Sequence, residues 1–501
     1  ISAAWCHCVR RCVCLLKPPL QLCTVWAVFM ALPEASLTTT CAINDAACNG
    51  IDVEGEGKRL LGSSSMGAVD PLAAKRDSRK RLLNVIIMAL GFMVVFCGFI
   101  PTQGYMTSIN KDLGNISLFI LYFVMAFTNF ISPFVVKLCG VRLSMLLGAL
   151  CYSVYVAATI SSKAEFLLPA SVIIGVGSAV LWTAQGDYLS RCSTHGNIGF
   201  LSGVFFGIYQ IASLVGSVGT GILLDSGANY QFVFIILTGV SLCGVSLFFF
   251  CGRMEPSSGL GATTKDASEV NPLKATFSLM NSKRFVFLIG MMIFSGISQA
   301  FYAGIFPPVV KETGESNVAW FLAIWGSAEI IGSFASGKFS DIWGRSTVVY
   351  IGLSLWIVGF GLSVGASLDK DIRLLASFFS GFCLGAGDAC LNTSLYAIFG
   401  VIFKGKSAPA FAGFKFVQSL ALGLGFGLGI VLECQWYAVM SVGLLVIAAI
   451  NFVYLQRSVV NVDLDEEQVT NPVLERTLNA GEEKGEERED IFLIHETPLS
   501  C

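Results

Sequence analysis

The chain has 501 residues, of which 54% are hydrophobic and only 13% charged, about half the charge of a soluble domain. Mean hydropathy is +0.71, and a net charge of −2 with a pI near 6.0 leaves no basic surface for nucleic acid. There is no CxxC pair, HExxH or P-loop, and the three histidines (His7, His195 and His495) form no cluster. That excludes any readable zinc, nucleotide or histidine-based chemistry, gives no cofactor, and leaves no nucleophile–base set for an enzyme. The composition is that of a polytopic membrane protein whose first partner is the lipid bilayer.

Residues 1–65 crowd Cys6, Cys8, Cys12, Cys14 and Cys23 into one stretch, but no second ligand cluster follows, so no metal site is assigned. This segment reads as a disordered or gene-model extension with Met66 as a natural start. Residues 66–81 form a basic flank. From residue 82, apolar stretches long enough to cross a bilayer of about 30 Å recur with short gaps. The predicted spans are 82–102, 116–138, 143–160, 167–188, 199–224, 231–252, 285–308, 317–339, 347–367, 373–399, 407–432 and 435–456. The longest interior polar gap, 253–284, divides them into bundles 82–252 and 285–456. Beyond them, the acidic tail 457–501 is predicted to be disordered. Glu56 precedes Leu60-Leu61 and Glu489 precedes Leu493-Ile494, each at the spacing of an acidic dileucine sorting signal. Two chance matches in acidic tails are the competing reading.

Loop charges set the expected orientation. Lys137, Arg142, Arg191, Arg253, Lys265, Lys274, Lys283, Arg284, Lys338, Arg345, Lys404 and Lys406 fall on the side of both termini. The other side holds Lys111, Lys163, Lys311, Lys370 and Arg373. By the positive-inside rule both termini are cytosolic.

Span four contains Gly175-Val-Gly177-Ser-Ala-Val-Leu-Trp182-Thr183, and span ten Gly385-Ala-Gly387-Asp388-Ala-Cys-Leu-Asn392-Thr393. Both fit G-x-G-x-A-x-L-x-T at an offset of 210 residues, and Tyr209-Gln210 in span five matches Val417-Gln418 in span eleven. A duplicated six-helix unit around one central loop predicts an all-α, twelve-helix major facilitator fold.

Between spans eight and nine, Gly337, Asp341, Gly344 and Arg345 fit the loop pattern G-x-x-x-D-x-x-G-R, predicted to latch one closed conformation. A plain basic loop accounts for Arg345 but not for the Asp spacing. The first-half counterpart, Pro133 to Arg142, has Lys137 where the pattern needs Asp, which puts a symmetric two-latch cycle in doubt.

Charges inside spans are costly, and three stand out: Glu329, Asp388 and Lys415. Helical rise puts them at depths of roughly 15, 16 and 12 Å from the cytosolic ends, so Lys415 is expected to pair with Asp388 or Glu329. Such a cluster serves either as a static ion network or as a proton- or substrate-coupling site, because burial disfavours the charged form of a carboxylate. Asn129, Trp182, Gln185, Tyr209, Gln210, Gln299 and Tyr302 are candidate cavity residues, or else bond neighbouring helices. Gly199-xxx-Gly203-xxx-Gly207 is read as a helix-packing stripe. Asn115-Ile116-Ser117 is a glycosylation acceptor, expected to be weakly used beside span two, and Asn392-Thr393-Ser394 is expected to be silent inside span ten.

Residues Leu181 to Leu189, Ile131-Ser132-Pro133, Gly387 to Thr393, Ser407 to Ala412 and Phe414 to Ser419 resemble the Unc-93-like branch of the major facilitator superfamily. The resemblance covers about 78–456. It implies a multi-pass glycoprotein, and two functions compete. One is secondary transport of an unidentified small molecule by alternating access, with proton coupling as an option, at the plasma membrane or in endosomes and lysosomes. The other is a non-transporting regulatory or escort role beside another membrane protein, such as an ion channel or a trafficked receptor.

Overall fold

The computed structural model describes residues 71–193, 198–253, 272–403 and 407–457. Twelve helices in it are long and apolar enough to cross a membrane. They run Arg76–Ile109, Lys111–Thr128, Val141–Thr159, Ala164–Cys192, Phe200–Asp225 and Tyr230–Phe250 in the first half. In the second half they run Lys283–Lys311, Asn317–Ser336, Ser346–Leu368, Arg373–Tyr396, Pro409–Val431 and Cys434–Arg457. Hydrocarbon offers backbone amides no partner, so each crossing segment must close its own hydrogen bonds as a helix. Leu60, Leu61, Leu493 and Ile494, with the two terminal segments, lie outside the described residues.

Two predicted boundaries change. Span two ends at Thr128, and a separate short helix, Ser132–Cys139, follows with Pro133 in its first turn. The proline ring excludes the preceding turn of a continuous helix, so the chain re-enters at a new angle. Within the central gap, Pro272–Met280 is helical, and Phe277 stacks on Phe130 of the first half at 5.2 Å.

The G-x-G repeat does the same packing work twice. A Cβ on Gly175 would meet Leu121 O of span two at 2.7 Å, and one on Gly385 would meet Trp325 O of span eight at 2.3 Å. The second glycines seat the next neighbour: Gly177 lies against Cys151 and Gly148 of span three, and Gly387 against Gly352 and Trp356 of span nine. Helices in lipid associate through such close backbone approach, because lipid tails are as apolar as the side chains. The loops also repeat. Gly140 (φ 81°, ψ 152°) and Gly344 (φ 82°, ψ 155°) each sit one residue before a helix, in a conformation that favours glycine.

Gly203 and Gly207 depart from the packing expectation. A Cβ on either would meet nothing within 4 Å among the described residues. Spacing of small residues identifies a stripe but not what lies opposite it.

Candidate functional site between the two halves

Span seven is not a uniform helix. Phe301–Ile305 form a π-turn, closed by Phe306 N–H on Phe301 O at 2.9 Å, an irregularity that often accompanies function. It carries Tyr302, whose ring stacks on Trp325 with centroids 4.2 Å apart. The Tyr302 hydroxyl donates to Asp388 Oδ2 at 3.4 Å. Asp388 is 1% exposed, and its Oδ1 has no hydrogen-bond partner among the described residues.

One turn beyond Trp325, Glu329 is 8% exposed and accepts from Gln210 Nε2 of span five at 2.7 Å. This bond joins the two halves inside the membrane. Glu329 and Asp388 lie on spans eight and ten, which pack directly against one another.

Lys415 corrects the sequence expectation. Among the described residues, the ion pairs are Arg81–Asp77, Arg191–Asp187 and Arg373–Glu312, and Lys415 is in none of them. Its ammonium instead donates to Gln418 Oε1 at 2.9 Å. It also lies 5.3 Å from the Tyr396 ring centre and 5.1 Å from that of Phe414. Gln418 Nε2 donates onward to Ser295 Oγ at 2.9 Å, and Ser295 Oγ to Asn392 Oδ1 at 3.1 Å. Asn392 lies one helical turn from Asp388 on span ten. The polar chain from Lys415 therefore reaches the neighbourhood of Asp388 without an ion pair between the two. Depth counting carries no information on direction around each helix.

The remaining candidates divide. Trp182 and Tyr209 pack edge-on at 5.4 Å within an aromatic cluster that includes Phe92 and Phe96. Gln299 donates to Ser295 Oγ at 3.5 Å, joining the polar chain. Gln185 is buried in span four. Asn129 leaves the central set: it caps the end of span two beside Ser132, which bonds Asn129 O and Thr183. Asn115 lies within span two, 0% exposed, with Nδ2 on Lys111 O. In this conformation the packed amide leaves no room for a glycan on Asn115. The Gly337 to Arg345 loop is described in its backbone, a helix ending at Trp343 and Gly344 at positive φ, whereas the Asp341 and Arg345 side chains lie outside the described residues.

Sequence reasoning missed Ser295, Asn392 and Gln418 as a connected set, although Asn392 and Gln418 occupy the repeat positions of Trp182 and Gln210. It also missed a seam at the face opposite the termini. There Tyr105 donates to Glu315 O at 2.9 Å and accepts from Ala319 N at 3.1 Å. Lys311 Nζ donates to Ser108 O at 3.1 Å, and Trp320 Nε1 to Asp225 Oδ2 at 3.0 Å. All four bonds cross between the halves.

Two six-helix halves with repeated internal packing and a buried polar interface between them define a major facilitator fold. Solved structures agree: the nucleoside transporter NupG covers 75% of this chain and 98% of its own at TM-score 0.55 and 14% identity. A POT family transporter in complex with 5-aminolevulinic acid covers 75% and 96% at TM-score 0.59 and 14% identity. The family model described as ion channel regulatory protein UNC-93 matches residues 105–453, and the chain belongs to that family. Its relatives include UNC93-like protein MFSD11 of Xenopus tropicalis, 29% identical over 76% of this chain and 97% of the relative. UNC93-like protein 3 of Arabidopsis thaliana is 27% identical over 70% and 81%.

Proposed function

We propose that this protein is a secondary transporter that moves a small organic solute by alternating access between its two halves. The observation that carries the reading is the Gln210–Glu329 bond, which puts an ionisable carboxylate on the interface that must rearrange when the halves rock. Buried carboxylates in such a place are expensive and are retained where ions or substrates pass. Protonation of Glu329 would remove the charge that strengthens this bond and so couple a proton to the motion. Asp388, whose neighbourhood the polar chain from Lys415 reaches, is the second coupling candidate. The seam at Tyr105, Lys311 and Trp320 supports assigning this conformation as closed on the face opposite the termini. In this reading Asp341 and Arg345 latch the other face, and the loop charges make the terminal face cytosolic, in the plasma membrane or an endosomal or lysosomal one.

Purified protein in liposomes, loaded against a mixed pool of small metabolites with and without a pH gradient, tests this. Saturable uptake that weakens in Glu329→Gln supports transport. The family description favours a second reading, a regulatory subunit of an ion channel. Absence of flux for every solute, together with stable co-purification of a channel, would favour it instead.

A further inference from the structure

The central charges are not equivalent. Glu329 and Asp388 are at least nine-tenths buried and already hold polar partners, Gln210 for one and Tyr302 for the other. Lys415 is half-buried and forms no ion pair among the described residues; one acceptor, Gln418 Oε1, takes one of its three donors. Ring faces at Tyr396 and Phe414 stabilise the cation but carry no countercharge. The Tyr396 ring also stacks on Phe411 at 5.8 Å and reaches Phe206 of the first half at 6.4 Å. Phe206 is 39% exposed, and the glycines flanking it on span five, Gly203 and Gly207, have open space at their Cβ positions. Internal symmetry sharpens the contrast. At the offset that aligns Gln210 with Gln418, Gly203 and Gly207 align with Phe411 and Lys415. The first half thus leaves room where the second supplies a ring and a cation.

We propose that Lys415 anchors a site for a flat organic anion, a carboxylate or sulfonate on an aromatic ring, with the ring packed alongside the touching pair Tyr396 of the second half and Phe206 of the first. The anionic group takes the free Lys415 donors, and the ring takes the aromatic walls. A ligand there touches both halves, as a transported solute must. Its charge opposes that of Lys415. This assignment rests on the transport reading for its purpose, but not for its geometry.

The test uses purified full-length protein in lipid nanodiscs and three probes of one shape: 1-naphthoate, 1-naphthamide and 1-naphthylmethylammonium. Calorimetry should record binding of 1-naphthoate at least tenfold tighter than the amide, and no binding of the cation. Lys415→Met should weaken 1-naphthoate at least tenfold, whereas Lys415→Arg should keep it within a few-fold, with monodispersity and melting confirming that both variants are folded. Tyr396→Ala should weaken acid and amide alike. The proposal is overturned if folded wild-type protein binds no 1-naphthoate, if the cation binds preferentially, or if Lys415→Met leaves affinity unchanged. Binding without flux in liposomes would keep this site and remove the transport reading. Flux of a solute that is indifferent to Lys415→Met, with no naphthoate binding, would do the reverse.

Discussion

Tyr105→Phe isolates one hydroxyl at the seam between the halves. Tyr105 is 1% exposed, and its ring packs beside Tyr230 with centroids 5.6 Å apart, so removing oxygen alone leaves the packing intact. Two hydrogen bonds are lost, to the part-buried Glu315 O and from Ala319 N, which keeps its bond to Ser316 O at 3.0 Å, so the cost is the net worth of two bonds. Losses of this kind cost about 1–3 kcal/mol. Because both bonds cross between halves, the cost falls on the state in which this face is closed. At about 2 kcal/mol the equilibrium should shift roughly 30-fold toward the state open at this face, given about 1.4 kcal/mol per factor of ten. Thr107, 0% exposed beside the same seam, is a suitable reporter. In a background with the exposed Cys139 and Cys243, and with Cys6, Cys8, Cys12, Cys14, Cys23, Cys41, Cys48 and Cys501, replaced by Ser, the maleimide labelling rate of Thr107→Cys should rise by roughly that factor on adding Tyr105→Phe. An unchanged labelling rate in protein with unchanged melting would refute the claim that these bonds hold the face shut.

Three further outcomes follow from the geometry. Gly385→Val puts a side chain into Trp325 O and should cost about 1–3 kcal/mol in thermal or denaturant stability, while Gly443→Val, with open space, should change little. Gln210→Leu should destabilise by about 1–3 kcal/mol by leaving Glu329 without its amide; in a double-mutant cycle with Glu329→Leu, additive losses would show that the two do not interact. Asn115→Gln should leave gel mobility and its response to glycosidase unchanged, and a lost shift would contradict the packing of that side chain.

What the sequence made legible follows the strength of each physical signal. Twelve crossings were readable because about 20 apolar residues in a row have few alternative explanations. The duplication was readable because Gly175–Gly177 and Gly385–Gly387 are held by the same helix crossings, which tolerate no side chain. The break after Thr128 had a cue in Pro133, masked by apolar residues on both sides. The π-turn at Tyr302 had none, because hydropathy does not distinguish five residues of wider winding. In the site, residue type and height identified Glu329, Asp388 and Lys415, but partner choice depends on azimuth. That is why an expected Lys415–carboxylate pair is a chain through Gln418, Ser295 and Asn392. Burial of Asn115 was illegible for the opposite reason: its motif is local, while its exposure is set by tertiary packing.

Whether the halves exchange their closed faces is the central question, and paired distance measurements between spin labels answer it. One pair, Ser226→Cys with Lys370→Cys, spans the face opposite the termini; the other, Leu138→Cys with Ile342→Cys, spans the terminal face, all four positions being exposed. Both pairs would be measured in nanodiscs, with and without Tyr105→Phe. Alternating access predicts that Tyr105→Phe lengthens the first distance and shortens the second, with two populations at each face trading places. One fixed distance at each face, unmoved by the substitution, would contradict it and leave a rigid regulatory subunit as the account of this fold.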